Sequence, residues 1–417
     1  MHELIWIVPF LLLLGCIAIL PLVRKHWWEK NYAYLSFGLA ALIVVRYVFF
    51  LEDSASMLHV GVEYISFICL IAALFVVAGG IHIQVKGEAT PLVNTLFLAI
   101  GAVAANFLGT TGASMVLIRP WLRMNKFRLT AHHIVFFIFI VSNVGGALTP
   151  IGDPPLFLGY LQGVPFFWVL REVWLIWLVT VVALISVFFV VDTLNFRKSP
   201  ADVRAKETAH EEWRFSGLHN LVFLAVIIGS VFINHPFFLR EAIMVCAAVL
   251  SYKTTARIVH KHNDFNFAPM REVAILFFGI FCTMVPALAW LEHNAANIGV
   301  KEAGQFYWAS GVLSSVLDNA PTYLNFLTAA LGLFGLSGRE GVQVLLQQHP
   351  EYVRAVSVAS VFFGAVTYIG NGPNLLVKSI ADASGGKAPS FFGYLLRYAL
   401  PILIPIYALV WLVFFRG

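Results

Sequence analysis

The sequence predicts an all-α polytopic membrane protein with two inverted repeats, each containing a re-entrant hairpin and a broken transmembrane helix. Three observations carry this expectation. Of 417 residues, 60% are hydrophobic and only 12% are charged, with a mean hydropathy of +0.83; a soluble domain carries about 25% charge. Apolar stretches of the roughly 20 residues that a spanning helix needs recur along the whole chain. A short motif then occurs once in each half: Thr149-Pro-Ile-Gly-Asp153-Pro-Pro155 resembles Thr367-Tyr-Ile-Gly-Asn371-Gly-Pro373, and Gly146-Ala147 matches Gly364-Ala365.

Taken in order, spans are expected at about 3–23, 32–51, 61–83, 131–162 (broken), 172–194, 217–234, 238–252, 270–291, 352–384 (broken) and 391–415, or about ten in all. The first is read as a retained span. No basic region precedes it, and Arg24-Lys25 follows directly. Two further apolar stretches, about 92–122 and 302–336, are too long for one crossing and too short for two. Gly109-Thr110-Thr111-Gly112 interrupts the first, and Asp318-Asn319-Ala320-Pro321-Thr322 the second. Both are read as hairpins whose tips stop near mid-membrane. The domain layout follows: scaffold spans over 1–60, a first transport repeat over 61–194, a cytoplasmic linker over 195–216, further scaffold over 217–269, and a second repeat over 270–417.

Lysine and arginine orient the chain. With both termini outside, the cytoplasmic side collects most of the 27 basic residues, among them Arg24, Lys25, Arg119, Arg123, Lys126, Arg128, Arg197 and Lys198. The +5 net charge is therefore a matter of loop topology, and no nucleic-acid partner is expected. In this orientation the span before the first hairpin runs inward and the span before the second runs outward, so the repeats are inverted.

At the breaks, proline removes a helix donor and glycine lowers helix propensity, so each apolar segment must unwind. Unwound backbone survives at membrane depth only inside protein or beside a watery cavity. Each break presents the N-terminus of a half-helix and bare carbonyls, and the carbonyls suit a hard cation such as sodium. Asp153 and Asp318 add carboxylates that can hold sodium or a proton. Ser142, Asn143, Thr149, Thr110, Thr111, Asn319, Thr322, Thr367, Asn371 and Asn374 offer neutral oxygens and amide donors. The same residues also have plainer uses. Asp153 and Asp318 fit helix caps, and the Ser, Thr and Asn side chains fit backbone satisfaction. His132 and His133, at the start of a span near the cytoplasmic surface, fit interfacial anchors better than the alternative, a pH-sensing role. Arg46 fits a paired or snorkelling side chain, and Cys16, Cys69, Cys246 and Cys282 fit inert buried thiols. No resident cofactor and no nucleophile–base pair emerge, so an enzyme is not expected.

These motifs resemble those of the ion-transporter superfamily, which includes sodium/proton antiporters, citrate and dicarboxylate carriers, and arsenite permeases. Asn143-Val-Gly-Gly-Ala-Leu-Thr-Pro-Ile-Gly-Asp153 resembles the broken-helix motif of the antiporter and arsenite branches. Ser314-Ser-Val-Leu-Asp-Asn-Ala-Pro321 resembles their hairpin-tip motif. Phe238-Leu-Arg-Glu-Ala-Ile-Met244 and Arg271-Glu-Val-Ala-Ile-Leu-Phe-Phe-Gly-Ile280 look like the citrate-transport group often labelled sodium/proton antiporters. One departure stands out: the first tip reads Gly109-Thr110-Thr111 where many relatives carry Asp-Asn-Thr. The resemblance implies a secondary transporter of the inner or plasma membrane that exchanges sodium for protons at Asp153 and Asp318. The alternative it implies is sodium- or proton-coupled uptake of citrate or another small carboxylate. Lipid, sodium and protons are then the expected partners. The spans over 3–51 and 217–252 are the expected scaffold and a homodimer interface.

Overall fold

In a computed structural model of the chain, the described residues are 4–84, 89–201, 203, 214–233, 235, 236, 238–294, 299–384, 386 and 388–416. α1 (Val8–Val23) breaks at Arg24, and α2 (Lys25–Val45) starts one residue later, continuing as a wider turn over Arg46–Phe50. Arg46 lies over the Trp6 ring at 4.1 Å, a cation–π contact that holds its charge. α3 (Ser54–Gly79) is capped by Asp53, whose carboxylate accepts from Ser56 N at 3.1 Å. Beyond it, β1 (His82–Gln84) leaves the helix, and Asn263 ties down the exit. Its amide donates to Gly79 O and Ile81 O, and its Oδ1 meets His82 Nδ1 at 2.8 Å. Burial pushes the His82 imidazole below the usual histidine range.

α4 (Pro91–Met124) contains one residue outside helical geometry, Gly109, at φ 73° and ψ 155°. A straight helix would hold Asn94 and Asn125, 31 positions apart, about 46 Å from each other. Instead Asn94 Nδ2 donates to Asn125 Oδ1 at 2.8 Å, and Phe97 stacks on Trp121. The chain therefore reverses at Gly109, where only glycine takes a positive φ without strain.

α5 (Ala131–Ile140) and α6 (Pro154–Leu161) are the two halves of a broken helix, separated by the single turn Val144–Gly146 and irregular backbone. α5 is buried from His132 to Ile140. That corrects the reading of His132 and His133 as interfacial anchors, since they are 6% and 0% exposed. α7 (Phe166–Lys198) carries the chain back. Half of the linker over 195–216 falls outside the described residues, but β2 (Arg214–Ser216) pairs antiparallel with β1, His82 opposite Ser216. α8 (Asn220–Ser230), α9 (Leu239–Thr254) and the short α10 (Arg257–His262) follow.

α11 (Ala268–Asn294) packs on α2 and α3. At the α2 crossing Ser36 Oγ donates to Ile275 O, and a Cβ on Gly279 would sit 2.2 Å from that hydroxyl. α12 (Ala303–Val316) and α13 (Asn319–Leu333) are joined by the extended residues Leu317 and Asp318 and fold back on each other, with Phe306 against Phe326. α14 (Gly338–Gln348) follows, then the second broken helix, α15 (Pro350–Phe362) and α16 (Gly372–Ala383), interrupted by the turn Phe363–Ala365. α17 (Phe391–Phe414) ends the fold.

Among the described residues, seven helices are long and apolar enough to cross a membrane, α1, α2, α3, α4, α7, α11 and α17, of which α4 turns back on itself at Gly109. Their outer faces expose large apolar side chains such as Leu11, Phe49, Val182 and Val413, as a lipid-facing surface requires. The chain is an all-α polytopic membrane protein. Around its centre the two broken helices run in opposite directions. α5 begins beside the ends of α4, where Trp121 Nε1 donates to His133 O, and the chain after α6 reaches α14, where Gln343 donates to Gly163 O. α15 begins beside α12, where Tyr352 donates to Lys301 O, and the chain after α16 returns to the α4–α5 connection, where a Cβ on Gly386 would touch Leu129.

Candidate functional site

The two breaks are built alike. In the first, Thr149 Oγ1 donates to Asn106 O of α4 at 2.6 Å and accepts from Gly152 N at 3.0 Å. In the second, Thr367 Oγ1 donates to Ser315 O of α12 at 2.5 Å and accepts from Gly370 N at 3.1 Å. Each threonine thus pins its break to the adjacent hairpin tip. Glycine pairs let the unwound strands cross. A Cβ on Gly152 would lie 2.1 Å from Gly146 O, and one on Gly370 would lie 2.8 Å from Gly364 O.

Both tips and both breaks meet at Asp153. Its side chain makes no cap bond to α6, which begins with Pro154-Pro155 and so lacks the first donors. The carboxylate, on a residue 1% exposed, instead accepts from three other elements. Thr110 Oγ1 donates to Oδ1 at 2.6 Å, Asn319 Nδ2 to Oδ2 at 2.5 Å, and Asn371 Nδ2 to Oδ1 at 3.3 Å. The network continues through amides. Asn371 Nδ2 also reaches Asn143 Oδ1 and Ser142 O, and Asn143 Nδ2 donates to Asn374 Oδ1 and Ile138 O. Asn374 Nδ2 then satisfies the bare carbonyls of Gly364 and Thr367. Ser142 Oγ pairs with Ser114 Oγ at 2.7 Å. No basic side chain bonds to this network among the described residues. Asn319 Oδ1 is buried with no hydrogen-bond partner.

Of the residues singled out in the sequence, Asp153, Thr110, Asn319, Asn371, Asn143, Asn374 and Ser142 join in this network. Thr149 and Thr367 hold the backbone beside it. Asp318 takes the cap role, accepting from Ala320 N at 3.1 Å, and Thr322 Oγ1 donates to Asp318 O. Thr111 lines a small cavity with Gly109, Gly112 and Pro150.

A family model described as "Putative citrate transport" matches residues 1–415. The chain belongs to this family. No curated protein matches it. Family and architecture make this citrate-transport family member a multi-pass membrane protein of the transporter class. Two features of the structure escape sequence reading. Asn106, in the middle of an apolar arm, donates to Gly145 O and accepts from Leu148 N, so it organises the first break. Its signal was a lone amide in an Ala-rich helix. A second buried cluster around Asp192 gathers residues from four separate segments, and no local spacing announces it.

Proposed function

We propose that the protein is a secondary active transporter exchanging sodium for protons by alternating access, with Asp153 as the exchanging group. The observation that carries the reading is a buried carboxylate where four helix discontinuities meet, with only neutral donors around it. A bare buried carboxylate is costly, because no nearby positive charge offsets its lost hydration. Either a proton or a cation relieves that cost, and the two compete for the same oxygens. Their competition couples the two fluxes. The unpartnered Asn319 Oδ1 adds a neutral oxygen beside the carboxylate, of the kind a hard cation takes as ligand. Inverted repeats are part of this proposal. The matched threonine bonds and the opposed broken helices support them, and such repeats supply two alternative packings around one fixed site.

In proteoliposomes, a sodium gradient should drive a pH change that vanishes in Asp153→Asn. Asparagine preserves the shape and can still accept from Thr110, so the variant should fold. An Asp153→Asn protein that still exchanges sodium for protons at the wild-type rate would sink the reading.

A second reading, favoured by the family description, is cation-coupled uptake of citrate or a similar carboxylate. The amide-rich centre could bind carboxylate oxygens, with a bound cation offsetting Asp153. Uptake of labelled citrate under an imposed sodium gradient separates the two. Accumulation would establish the second, and none, alongside intact exchange, the first.

A further inference from the structure

At the base of the α4 hairpin lies a buried polar cluster that the transport reading does not use. Asp192 of α7 is 0% exposed, and the Arg128 guanidinium grips both of its oxygens. Asn94, which also bonds Asn125 at the other end of α4, donates to Asp192 Oδ2 at 2.9 Å. His132 Nε2 bonds Oδ1 at 3.1 Å, and His133 Nε2 lies 3.0 Å from the same oxygen without hydrogen-bonding geometry. Their rings stack with centroids 4.1 Å apart. On the far side both meet Thr130. Its Oγ1 lies 2.6 Å from His132 Nδ1 and 3.0 Å from His133 Nδ1, and its backbone N–H donates to His133 Nδ1 at 3.2 Å.

Donor rules fix the tautomers. A carboxylate only accepts, so neutral His132 carries its hydrogen on Nε2, and its Nδ1 accepts from the Thr130 hydroxyl. A backbone N–H only donates, so His133 Nδ1 must accept, and its hydrogen also lies on Nε2. Arg128 and Asp192 cancel, leaving the cluster neutral.

We propose that His132 is a reversible proton-binding site and that the Thr130 hydroxyl is the part that turns. When a proton from solvent joins His132 Nδ1, that nitrogen becomes a donor. The Thr130 hydroxyl rotates, accepts from it, and points its own hydrogen at His133 Nδ1, 3.0 Å away. Thr130 and both Nδ1 atoms keep partners in either state. His133 has no such route, because a proton on its Nδ1 would face the Thr130 N–H, donor against donor. His132 also keeps 6% exposure, whereas His133 has none.

The charged neighbours permit a single added charge. Beyond Arg128 and Asp192, α16 brings Lys378, already paired with Asp382 at 2.6 Å, and α17 brings Arg397 to the cavity that reaches Ala131. A divalent metal on His132, His133 and Asp192 would add two charges beside Arg128, which already holds the carboxylate. The chemistry favours a proton. Because Asn94 bonds both Asp192 and Asn125, that proton changes the charge at the foot of the hairpin.

The test is histidine nitrogen NMR on the full chain in nanodiscs, the signals among its 13 histidines assigned with His132→Gln and His133→Gln. From about pH 8 to about pH 5, the range that brackets histidine titration, the His132 signals should convert to the doubly protonated pattern while His133 keeps its Nε2–H pattern. Thr130→Val should move the conversion to lower pH, and Thr130→Ser should restore it. These two variants also supply the assignment if either glutamine variant fails to fold. One equivalent of zinc should leave both rings unchanged. Conversion of both rings together, conversion of neither, or zinc shifts on both would each overturn the proposal.

Discussion

Asp153 and Asp318 both sit at discontinuities, yet their bonds differ in kind. Asp153 uses both oxygens on side chains from three other elements, whereas Asp318 bonds the backbone of its own helix. Their replacements should therefore part company. Asp318→Asn keeps a capping oxygen, so stability should hold and sodium-driven exchange should fall only in part. Asp318→Ala removes the cap and should cost about 1 kcal/mol, read as a lower thermal midpoint in detergent. Equal loss of exchange in Asp318→Asn and Asp153→Asn would show instead that both carboxylates carry the ion. The departure at the first tip fits this asymmetry. Gly109 stands where those relatives carry the aspartate, and the next residue, Thr110, supplies Asp153 with a hydroxyl donor.

At the scale of elements, the glycines of the breaks differ in what surrounds them, and that difference is measurable. A methyl group on Gly152 meets Gly146 O at 2.1 Å, so Gly152→Ala must push the unwound strands apart and move Asp153 with them. Gly372, in the second break, has open space where its Cβ would lie. Gly152→Ala should abolish exchange in protein that still inserts, while Gly372→Ala should keep most of it; transport assays on matched amounts of each variant decide. Both breaks were legible in the sequence, since glycine and proline inside an apolar run leave unwinding as the only outcome. The reversal in α4 was legible only as a region. Gly109 and Gly112 are both glycines, and only the positive φ at Gly109 shows which one turns the chain. The Asp192 cluster was not legible at all. Asn94, Asn125, Arg128, His132 and Asp192 each lie near the end of an apolar segment, where polar side chains are ordinary. Only the folding back of α4 brings them together, and no periodicity within one segment records that.

For the whole molecule, the decisive relation is the opposition of the two halves. α5 and α6 lead from the foot of the α4 hairpin to α14, and α15 and α16 lead from α12 back to the foot of the α4 hairpin. The two hairpin tips meet at Asp153, so their feet point to opposite ends of the molecule. In the proposed inverted arrangement those ends lie on opposite sides of the membrane, and the excess of lysine and arginine predicts that the α4 end is the cytoplasmic one. Cys16, Cys69, Cys246 and Cys282 form no disulfide and can be replaced by alanine, a change their apolar segments should tolerate. On that background, Arg123→Cys and Glu340→Cys each place a thiol at an exposed position, one at each foot. A membrane-impermeant maleimide added to intact cells should label Glu340→Cys at once and leave Arg123→Cys untouched until the membrane is opened. Inside-out vesicles should reverse the pattern. Labelling of both positions from the same side would contradict the inverted arrangement. Alternating access around Asp153 would then lose the inverted symmetry that supplies its two alternative packings.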